Sequence, residues 1–357
     1  MTINPKIIIN GEYFCRKLSG IERFAHEITM RLDEISKKDE IGIIISNDAK
    51  NVPHFKNLKM INYEKDITSC PIWQQFILPE ILWKMKAIAL DFGNACSLFY
   101  PGITFLHDIY CEMFPSDFKT KREKHERFYF RVLYRIIAYR AKRIATVSYF
   151  SRNQIASKYH INPKRMTVIY SSWNHFKHIK SDLSVFDDFP VLSKPFYFSL
   201  GSLSKRKNIK WIIEYAAKNP ASLFALSGAS LDTVKVDELS SSVPSNIVML
   251  GYLDDGKVKA LMEKCKAFVH PSYYEGFGLP PLEALSCGAQ IIISNAASLP
   301  EIYGNTAHYI DPFDTDVDLD KLIAQPVEPP DEILERYSYD TSARQVYDLI
   351  QIFTNRK

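Results

Sequence analysis

Residues 267–288, AFVHPSYYEGFGLPPLEALSCG, hold a strand pattern, a glycine loop and a helix start in one short stretch. Ala267 to His270 is an apolar run of strand type. The loop from Pro271 to Gly278 carries two glycines, which let backbone N–H groups approach a ligand closely. Pro280 and Pro281 suit the first turn of a following helix, where no intrahelical N–H is needed. The stretch therefore predicts an α/β fold with a helix N-terminus aimed at the end of a strand, an arrangement that holds phosphate.

Two carboxylates bracket this loop. Glu275 can accept hydrogen bonds from sugar hydroxyls, and Glu283, about one turn inside the helix, can accept a vicinal diol such as ribose. A ligand in which phosphate joins a sugar to a ribose is a nucleotide-sugar. Either glutamate taken alone has a plainer explanation, since Glu283 could complement the helix dipole and Glu275 could be solvated. The agreement of glycines, prolines and glutamates favours the binding site.

The same residues resemble the retaining family-4 glycosyltransferases, in particular the bacterial O-antigen mannosyltransferases. The resemblance is carried by Glu275-Gly-Phe-Gly-Leu-Pro-Pro-Leu-Glu283-Ala, Cys287-Gly288 and Ser298-Leu-Pro-Glu301. It implies the GT-B fold, with two facing Rossmann-like domains of parallel strands and a C-terminal crossover helix. It also implies that Glu275 positions the sugar and stabilises charge. The implied donor-binding residues of this stretch are Gly276, Phe277, Gly278, Leu279 and Glu283.

A length of 357 residues suffices for two ordinary domains. We predict an N-terminal acceptor-binding domain over 1–185 and a nucleotide-sugar-binding domain over 195–335. The acidic, proline-containing segment 181–195 is the predicted linker. Residues 336–357 are expected to form a helix that packs back on the first domain, as the resemblance implies.

The first strand-to-helix turn of the second domain is basic. It reads Gly201-Ser-Leu-Ser-Lys205-Arg206-Lys207-Asn208, and such cations can neutralise a diphosphate. A solvated basic turn is the plain alternative. The family's diphosphate pair maps onto Arg206 and Lys207, with Gly201 beside them. Gly251 and Tyr252 end a later strand, where the base lies in this family.

Two departures qualify the resemblance, and a third feature predicts local structure. Many relatives carry an arginine directly after the strand glycine, where this chain has Ser202. Trp173 stands where many have Asn-Gly, and either stacks on a sugar or packs the hinge. Ser298 to Glu301 has the S-x-x-E spacing that predicts a capping box.

Two residues of the first domain are candidates for the same site. Gly20 lies in the turn before the predicted helix Ile21 to Ser36, and His107 follows the predicted strand Thr104 to Leu106. A plain glycine before a helix and a capping or core histidine are the alternatives. The carboxyl ends of parallel strands hold ligands in α/β sheets. The resemblance favours a donor-binding Gly20 and a catalytic His107.

Between Lys119 and Arg143 the chain has ten lysines or arginines and two glutamates, interleaved with aromatic and aliphatic residues. The pattern predicts one long helix with an apolar and a basic side. A core-packed helix with a solvated face explains it. Contact with an anionic membrane surface is the functional hypothesis, because each basic residue near such a surface contributes about 1 kcal/mol.

Composition narrows the setting. A net charge of +4 is too mild to indicate nucleic-acid binding. The six cysteines show no metal-site or disulfide spacing, and the N-terminus has no signal-peptide pattern. We therefore expect a cytoplasmic protein, either free or at the inner face of the cytoplasmic membrane.

The predicted activity is metal-free transfer of a hexose from a nucleotide-sugar to a cell-surface glycan or polyprenyl-linked oligosaccharide. The resemblance favours GDP-mannose, with UDP- and dTDP-sugars open, and implies no further cofactor. Three alternatives remain: an inactive sugar-nucleotide-binding or scaffold protein, an epimerase on the same fold, and a glycogen-type synthase. A nicotinamide dehydrogenase is disfavoured because no G-x-G-x-x-G follows the first strand.

Overall fold

The computed structural model describes residues 5–201, 204–228 and 243–354. The chain divides into two compact units, Met1–Ser171 with Ser338–Lys357, and Ser172–Tyr337. The division lies upstream of the linker predicted at 181–195. That segment belongs to the second unit, because Asp188 pairs with Lys257 at 2.6 Å and the Asp182 N–H donates to the carbonyl of Gly256.

The first unit contains a seven-stranded, wholly parallel sheet with the order β3-β2-β1-β4-β5-β6-β7. Most of its strands are buried apolar runs, as expected for a parallel sheet covered on both faces. Its strands are β1 Ile7–Asn10, β2 Ile41–Ser46, β3 Lys59–Tyr63, β4 Ile88–Asp91, β5 Ile103–Phe105, β6 Arg143–Thr146 and β7 Met166–Val168.

Helices connect these strands. They are α1 Gly20–Ile35, α2 Cys70–Ile72, α3 Leu78–Met85, α4 Tyr110–Met113, α5 Lys121–Arg140 and α6 Tyr149–Tyr159, with a π-helical segment Trp73–Ile77 between α2 and α3. Lys119 and Arg143, the ends of the predicted basic helix, lie outside α5. Arg143 instead begins β6.

The last helix of the chain, which we number α14 (Tyr339–Thr354), belongs to the first unit and packs against α1. Its buried residues recur every three or four positions, at Ala343, Val346, Leu349 and Ile350. They join Phe24, Ile28 and Leu32 of α1 in one apolar core. Full burial of such aliphatic side chains contributes about 1.5–3 kcal/mol each, so this helix is an integral part of the unit.

The second unit contains a six-stranded parallel sheet of order β10-β9-β8-β11-β12-β13. The order places β8 and β11 in the middle of the sheet, with β10 and β13 at its two edges. The strands are β8 Phe196–Leu200, β9 Leu223–Ser227, β10 Ile247–Gly251, β11 Ala267–His270, β12 Ile291–Ser294 and β13 His308–Ile310.

The described helices of this unit are α7 Val185–Asp188, α8 Ile209–Lys218, α9 Asp255–Lys264, α10 Leu279–Ser286, α11 Leu299–Tyr303, α12 Leu319–Ile323 and α13 Asp331–Arg336. Trp211 and Ile212 of α8 pack with Tyr197 of β8 and Val269 of β11 in the core. Helix α8 follows β8, and α10 follows β11. The N-termini of these two helices therefore lie at the carboxyl end of neighbouring strands.

Candidate functional site

The loop between β11 and α10 has the predicted strand-loop-helix form. Gly278 is the N-cap of α10 and adopts φ +86°, a conformation that favours glycine. A Cβ atom there would lie 2.5 Å from Cδ2 of Leu299, a fully buried side chain. Gly278 is therefore required both by its backbone conformation and by the space around it.

Glu275 is the centre of the site. Its side chain is buried, and four side chains converge on it. Lys207 Nζ lies 2.7 Å from Oε1 and Arg206 Nη1 lies 3.4 Å from Oε2. Ser272 Oγ donates to Oε1 at 2.8 Å, and His270 Nε2 lies 3.1 Å from the same oxygen. Sequence reasoning predicted the glutamate and the two cations but not Ser272 or His270.

The charges of this cluster follow from its contacts. Burial alone would raise the pKa of Glu275, but the Lys207 and Arg206 cations outweigh burial and hold it well below its usual value. Burial lowers the pKa of His270, against the hydrogen bond to Glu275. The neutral His270 therefore donates its Nε2–H to an ionised Glu275. The cluster consists of one buried carboxylate and two cations, leaving a local excess of positive charge.

The cation turn and the glycine loop are joined by hydrogen bonds. The backbone carbonyl oxygen of Arg206 accepts from the N–H of Tyr273 at 3.0 Å and lies 2.7 Å from Ser272 Oγ. Asn208 has φ +56°, and its Nδ2 donates to the carbonyl of Pro271 at 3.0 Å. Asn208 occupies the N-cap position of α8, but its side chain joins the two loops and does not cap the helix.

Three glycines line the carboxyl edge of neighbouring strands. Gly201 follows β8, Gly228 follows β9 and Gly251 ends β10. Gly228 has φ +91°, and a Cβ atom there would lie 2.7 Å from the carbonyl oxygen of Gly201. Gly251 also has positive φ, whereas a Cβ on Gly201 would meet only Lys207 at an ordinary 3.5 Å. Gly228 was missed from the sequence, yet its glycine requirement is stronger than that of Gly201.

Tyr252 follows Gly251 and is 78% exposed. An exposed aromatic ring beside a glycine edge can stack on a planar base. At the same edge, Ser227 Oγ donates to the carbonyl of Gly251 at 3.1 Å, and the Gly228 N–H donates to it at 2.7 Å. The backbone beneath Tyr252 is thus fixed.

Glu283 lies inside α10 and is buried. His175 Nε2, from the turn Asn174–His178, lies 3.0 Å from its Oε1. Phe277 and Leu279 are buried, and the Phe277 ring packs edge-to-face on Tyr337 at 5.4 Å between ring centroids. Only the backbones of these two residues are therefore available to a ligand. Trp173 donates its Nε1–H to the carbonyl of Leu334, which favours packing over stacking on a sugar.

The capping box predicted at Ser298 to Glu301 is wrong. Ser298 precedes α11 but makes no side-chain cap; its Oγ donates to the carbonyl of Glu275 at 3.0 Å. Tyr303, at the end of the same helix, donates its O–H to the carbonyl of Gly278. The hydroxyl groups of Ser298 and Tyr303 thus bind the backbone of the glycine loop. Helix α11 in this way supports the backbone at Glu275.

His107 lies after β5 and is buried in the first unit. Its Nε2 lies 2.6 Å from the carbonyl oxygen of Phe92, so this nitrogen carries the proton and donates. Burial lowers the pKa of His107, and the hydrogen bond to Phe92 opposes that effect. The ring also packs edge-to-face against Phe24. In a neutral His107 with this tautomer, Nδ1 is a hydrogen-bond acceptor, and the catalytic role of this residue stays a prediction.

Gly20 is the first residue of α1 and is exposed, with Ser19 as the N-cap. No atom lies within 4 Å of the place where its Cβ would stand. No neighbouring atom therefore requires a glycine at this position, and the donor-binding role of Gly20 stays a prediction.

A buried polar cluster at the carboxyl ends of β1 and β4 was not predicted. Asp91 Oδ1 accepts from Asn10 Nδ2 at 3.0 Å and from Gln74 Nε2 at 3.1 Å, while Trp73 Nε1 donates to Asn10 Oδ1 at 2.9 Å. Burial raises the pKa of Asp91 to about 7. Within the described residues, Oδ2 of Asp91 has no hydrogen-bond partner.

The basic helix α5 contacts the core through its C-terminal half, where Leu133, Tyr134, Ile137 and Ala138 are buried. Several of its cations have structural partners. Arg131 pairs with Glu112 at 3.0 Å, and Arg127 donates to the carbonyl of Cys111. The N-terminal turns remain exposed and basic, with Lys121, Arg122 and Lys124 at the surface. The core-packed explanation is therefore confirmed for the C-terminal half of the helix, and contact of the N-terminal turns with a membrane stays a prediction.

Acidic residues occur at D-x-D spacing, at Asp314-Thr-Asp316 and onward to Asp320. They are exposed, and Asp318 caps α12 while Asp320 pairs with Lys266. Across residues 5–201, 204–228 and 243–354, no three His, Cys, Asp or Glu side chains are grouped as metal ligands. Independence from metal stays a prediction. None of the described helices is both long and apolar enough to cross a bilayer.

These features define the class of the second unit. Residues 186–340 match the family model described as "Glycosyl transferases group 1". This part of the chain is a glycosyltransferase group 1 domain, and the resemblance noted at residues 275–301 is confirmed.

Two of the named relatives are O-antigen mannosyltransferases. The O-antigen chain mannosyltransferase B of Escherichia coli is 32% identical over 187 residues, covering 49% of each chain. The O-antigen chain mannosyltransferase RfbU of Salmonella typhimurium is 26% identical over 283 residues, covering 74% of this chain and 76% of its own. The alignment thus spans about half of the first relative and about three quarters of the second.

The fold is shared more widely than the sequence. Sucrose-phosphate synthase from Thermosynechococcus elongatus superposes with a TM-score of 0.74 at 14% identity, over 99% of this chain and 100% of that chain. The predicted fold class is confirmed: two parallel α/β sheets of the GT-B glycosyltransferase type.

Proposed function

We propose that this protein is a retaining glycosyltransferase that moves a hexose from a nucleotide-sugar to a growing cell-surface glycan or lipid-linked oligosaccharide. The observation that carries the proposal is the buried Glu275 held by Lys207, Arg206 and His270 at the carboxyl edge of the second sheet. The glycosyltransferase group 1 domain and the two mannosyltransferase relatives support it.

Arg206 and Lys207 can stabilise the negative charge that develops on the leaving diphosphate. Departure of the nucleoside diphosphate breaks the bond between the anomeric carbon and a phosphate oxygen, and negative charge develops on that oxygen. Arg206 and Lys207 lie on one short turn beside the N-terminus of α10, where positive charge and free N–H groups are preorganised. Arg206 is 27% exposed at its side chain and can reach a ligand while Lys207 holds Glu275.

Glu275 stabilises the positive charge that develops on the anomeric carbon in the proposed step. In the proposed step the acceptor hydroxyl attacks on the face that the diphosphate leaves, forming the new glycosidic bond, and a phosphate oxygen takes its proton. The anomeric carbon is cationic meanwhile. An ionised Glu275 stabilises that carbon and accepts hydrogen bonds from sugar hydroxyls. Its low pKa suits this role and not that of a proton donor.

The proposed donor arrangement follows the strand order. The base lies at Tyr252, the ribose near Glu283, and the diphosphate at Arg206, Lys207 and the backbone of residues 276–279. GDP-mannose is the first candidate because both relatives bear the name mannosyltransferase. UDP- and dTDP-sugars are the competing donors.

A panel of nucleotide-sugars tests the function directly. We expect one of GDP-mannose, UDP-hexoses and dTDP-hexoses to raise the melting temperature of the purified chain and to be hydrolysed slowly without acceptor. The anomeric configuration of the product with an added glycan acceptor then tests retention. If no donor binds, the proposal fails; if a donor binds and is never cleaved, the inactive binding protein replaces it.

Contact with the inner face of a membrane is a second part of the proposal, carried by the exposed N-terminal turns of α5. We expect the triple variant Lys121→Glu, Arg122→Glu, Lys124→Glu to lose sedimentation with anionic liposomes. The control reverses three exposed lysines elsewhere in the first unit, at Lys50, Lys56 and Lys65. Equal sedimentation of both variants and the wild type would remove the membrane contact.

A further inference from the structure

An aromatic pair, formed by the exposed Phe313 and the partly buried Tyr273, lies beside the Glu275 cluster. Phe313, in the loop after β13, is 81% exposed, and its ring lies near-parallel to that of Tyr273, at 28° with 6.1 Å between centroids. Tyr273 stands two residues before Glu275. Leaving a phenylalanine this exposed forgoes about 1.5–3 kcal/mol of burial.

The loop that carries Phe313 is held in place by hydrogen bonds. Trp211 Nε1 lies 2.7 Å from the carbonyl of Asp314 and 3.2 Å from that of Asp311. Asn208 Nδ2 donates to the carbonyl of Pro312 at 2.7 Å, and Asp311 Oδ1 accepts from the N–H of Phe313. The exposed ring is therefore presented by an ordered backbone, anchored to the same Asn208 that joins the cation turn to the glycine loop.

The strand order says which part of a ligand this pair faces. Three strand spacings separate β10, which carries Tyr252, from β11, which carries Tyr273. At about 4.8 Å per spacing that is about 14 Å, enough for a base, ribose and diphosphate. A donor laid from Tyr252 past Arg206 has its sugar at Glu275. The Tyr273–Phe313 pair then lies beyond the sugar, away from the base.

We propose that Tyr273 and Phe313 form a subsite for a pyranose ring of the acceptor glycan. This inference rests on the proposed function and adds a binding site on the second unit for an uncharged saccharide. A pyranose has an apolar C–H face that packs on an aromatic ring, and a rim of hydroxyls. The neighbouring exposed carboxylates at Asp311, Asp314 and Asp316 suit hydroxyl donors. The same carboxylates oppose an anionic lipid surface, which would be repelled.

The test compares Phe313→Ala with Tyr252→Ala in the full chain. Saturation-transfer NMR and titration with linear oligosaccharides of mannose, galactose and glucose supply the acceptor probes, and GDP and UDP supply the donor probes. We expect Phe313→Ala to raise the Kd of at least one oligosaccharide about fivefold to tenfold, with nucleotide affinity unchanged. Tyr252→Ala is expected to do the reverse.

Two further variants control this experiment. Phe99→Ala removes an equally exposed ring, 72% exposed, from the first unit and should change neither affinity. Phe313→Trp should retain oligosaccharide binding. The subsite is refuted if no oligosaccharide binds the wild type, if Phe313→Ala binds it unchanged, or if Phe313→Ala loses nucleotide. Donor hydrolysis by the wild type is measured in parallel, so failure of the subsite is distinguishable from failure of the proposed function.

Discussion

The two parallel sheets differ in the charge of the buried side chains at their carboxyl edges. The edge of the second sheet holds an ionised Glu275 between Lys207 and Arg206, with positive-φ glycines alongside. The edge of the first holds His107 with a lowered pKa and Asp91 with a pKa raised to about 7, each through burial. One topology therefore supplies two kinds of site: the charged edge suits a diphosphate, and the first edge suits neutral hydroxyl groups.

The largest expected effect is at the charged edge. Glu275→Ala should lower transfer by about 10²- to 10³-fold, because it removes the carboxylate that faces the developing positive charge. Initial rates with the preferred donor measure this effect, and circular dichroism checks the fold. Glu301→Ala, which changes another glutamate of the same unit, is the control. Turnover close to that of the wild type would contradict the role given to Glu275.

The buried Asp91 at the edge of the first sheet predicts that stability depends on pH. The folded state keeps the Asp91 proton up to about pH 7, whereas the ordinary value is 3.8. Its contribution to stability is therefore full below the ordinary value and is lost as the pH rises towards 7. At about 1.4 kcal/mol per pKa unit the loss is about 4 kcal/mol.

Asp91→Asn should remove most of that pH dependence. Urea unfolding at pH 4.5 and 7.5, followed by tryptophan fluorescence, measures it in both proteins. The exposed Asp66→Asn serves as the control. An identical pH dependence in the wild type and Asp91→Asn would show that Asp91 is ionised in the folded protein.

The affinity for a nucleoside diphosphate should depend on Lys207 and not on Lys210. Lys207→Ala is expected to raise the Kd of GDP or UDP about 10- to 100-fold, since charged hydrogen bonds contribute about 1.5–3 kcal/mol. Lys210→Ala, one turn later in α8 with a side chain 68% exposed, should change it less than about twofold. Titration calorimetry at two salt concentrations measures both. Equal effects would mean that general positive charge, and not the turn, binds the nucleotide.

The smallest effects concern two glycines. Gly278→Ala should destabilise the second unit by about 2 kcal/mol or more, from its positive φ and the contact with Leu299. Gly20→Ala should change stability by about 1 kcal/mol or less, and can stabilise, because its site is open. Thermal unfolding of both variants gives the comparison. A large loss from Gly20→Ala would restore a structural role to that glycine.

The sequence predicted the charged edge far better than the uncharged one. Glu275, Gly278 and Glu283 lie within one local pattern whose glycines and prolines have specific backbone consequences. His270 and Ser272 were not predicted, because their contacts with Glu275 depend on the position of Lys207 in the turn after the neighbouring strand β8. Gly228 likewise depends on the close approach of Gly201 from the next strand, which spacing along the chain does not reveal.

Other misses share that cause. Strands β6 and β13 are only three or four residues long, and Arg143 extended the basic pattern of α5 into β6. Ser298 had the right spacing for a capping box, but the carbonyl of Glu275 competes successfully for its hydroxyl. Asp91 was passed over because one carboxyl at the end of an apolar strand carries no local signal of burial.

The pairing of α14 with α1 determines the order in which the protein can be completed during synthesis. The ribosome releases the apolar face of Phe24, Ile28 and Leu32 early, and its covering partner emerges only after residue 338. The intervening unit is contiguous and can fold while that face waits. Truncation before α14 would therefore leave an aggregation-prone surface on the nascent first unit, although every residue of the charged edge would already have been made.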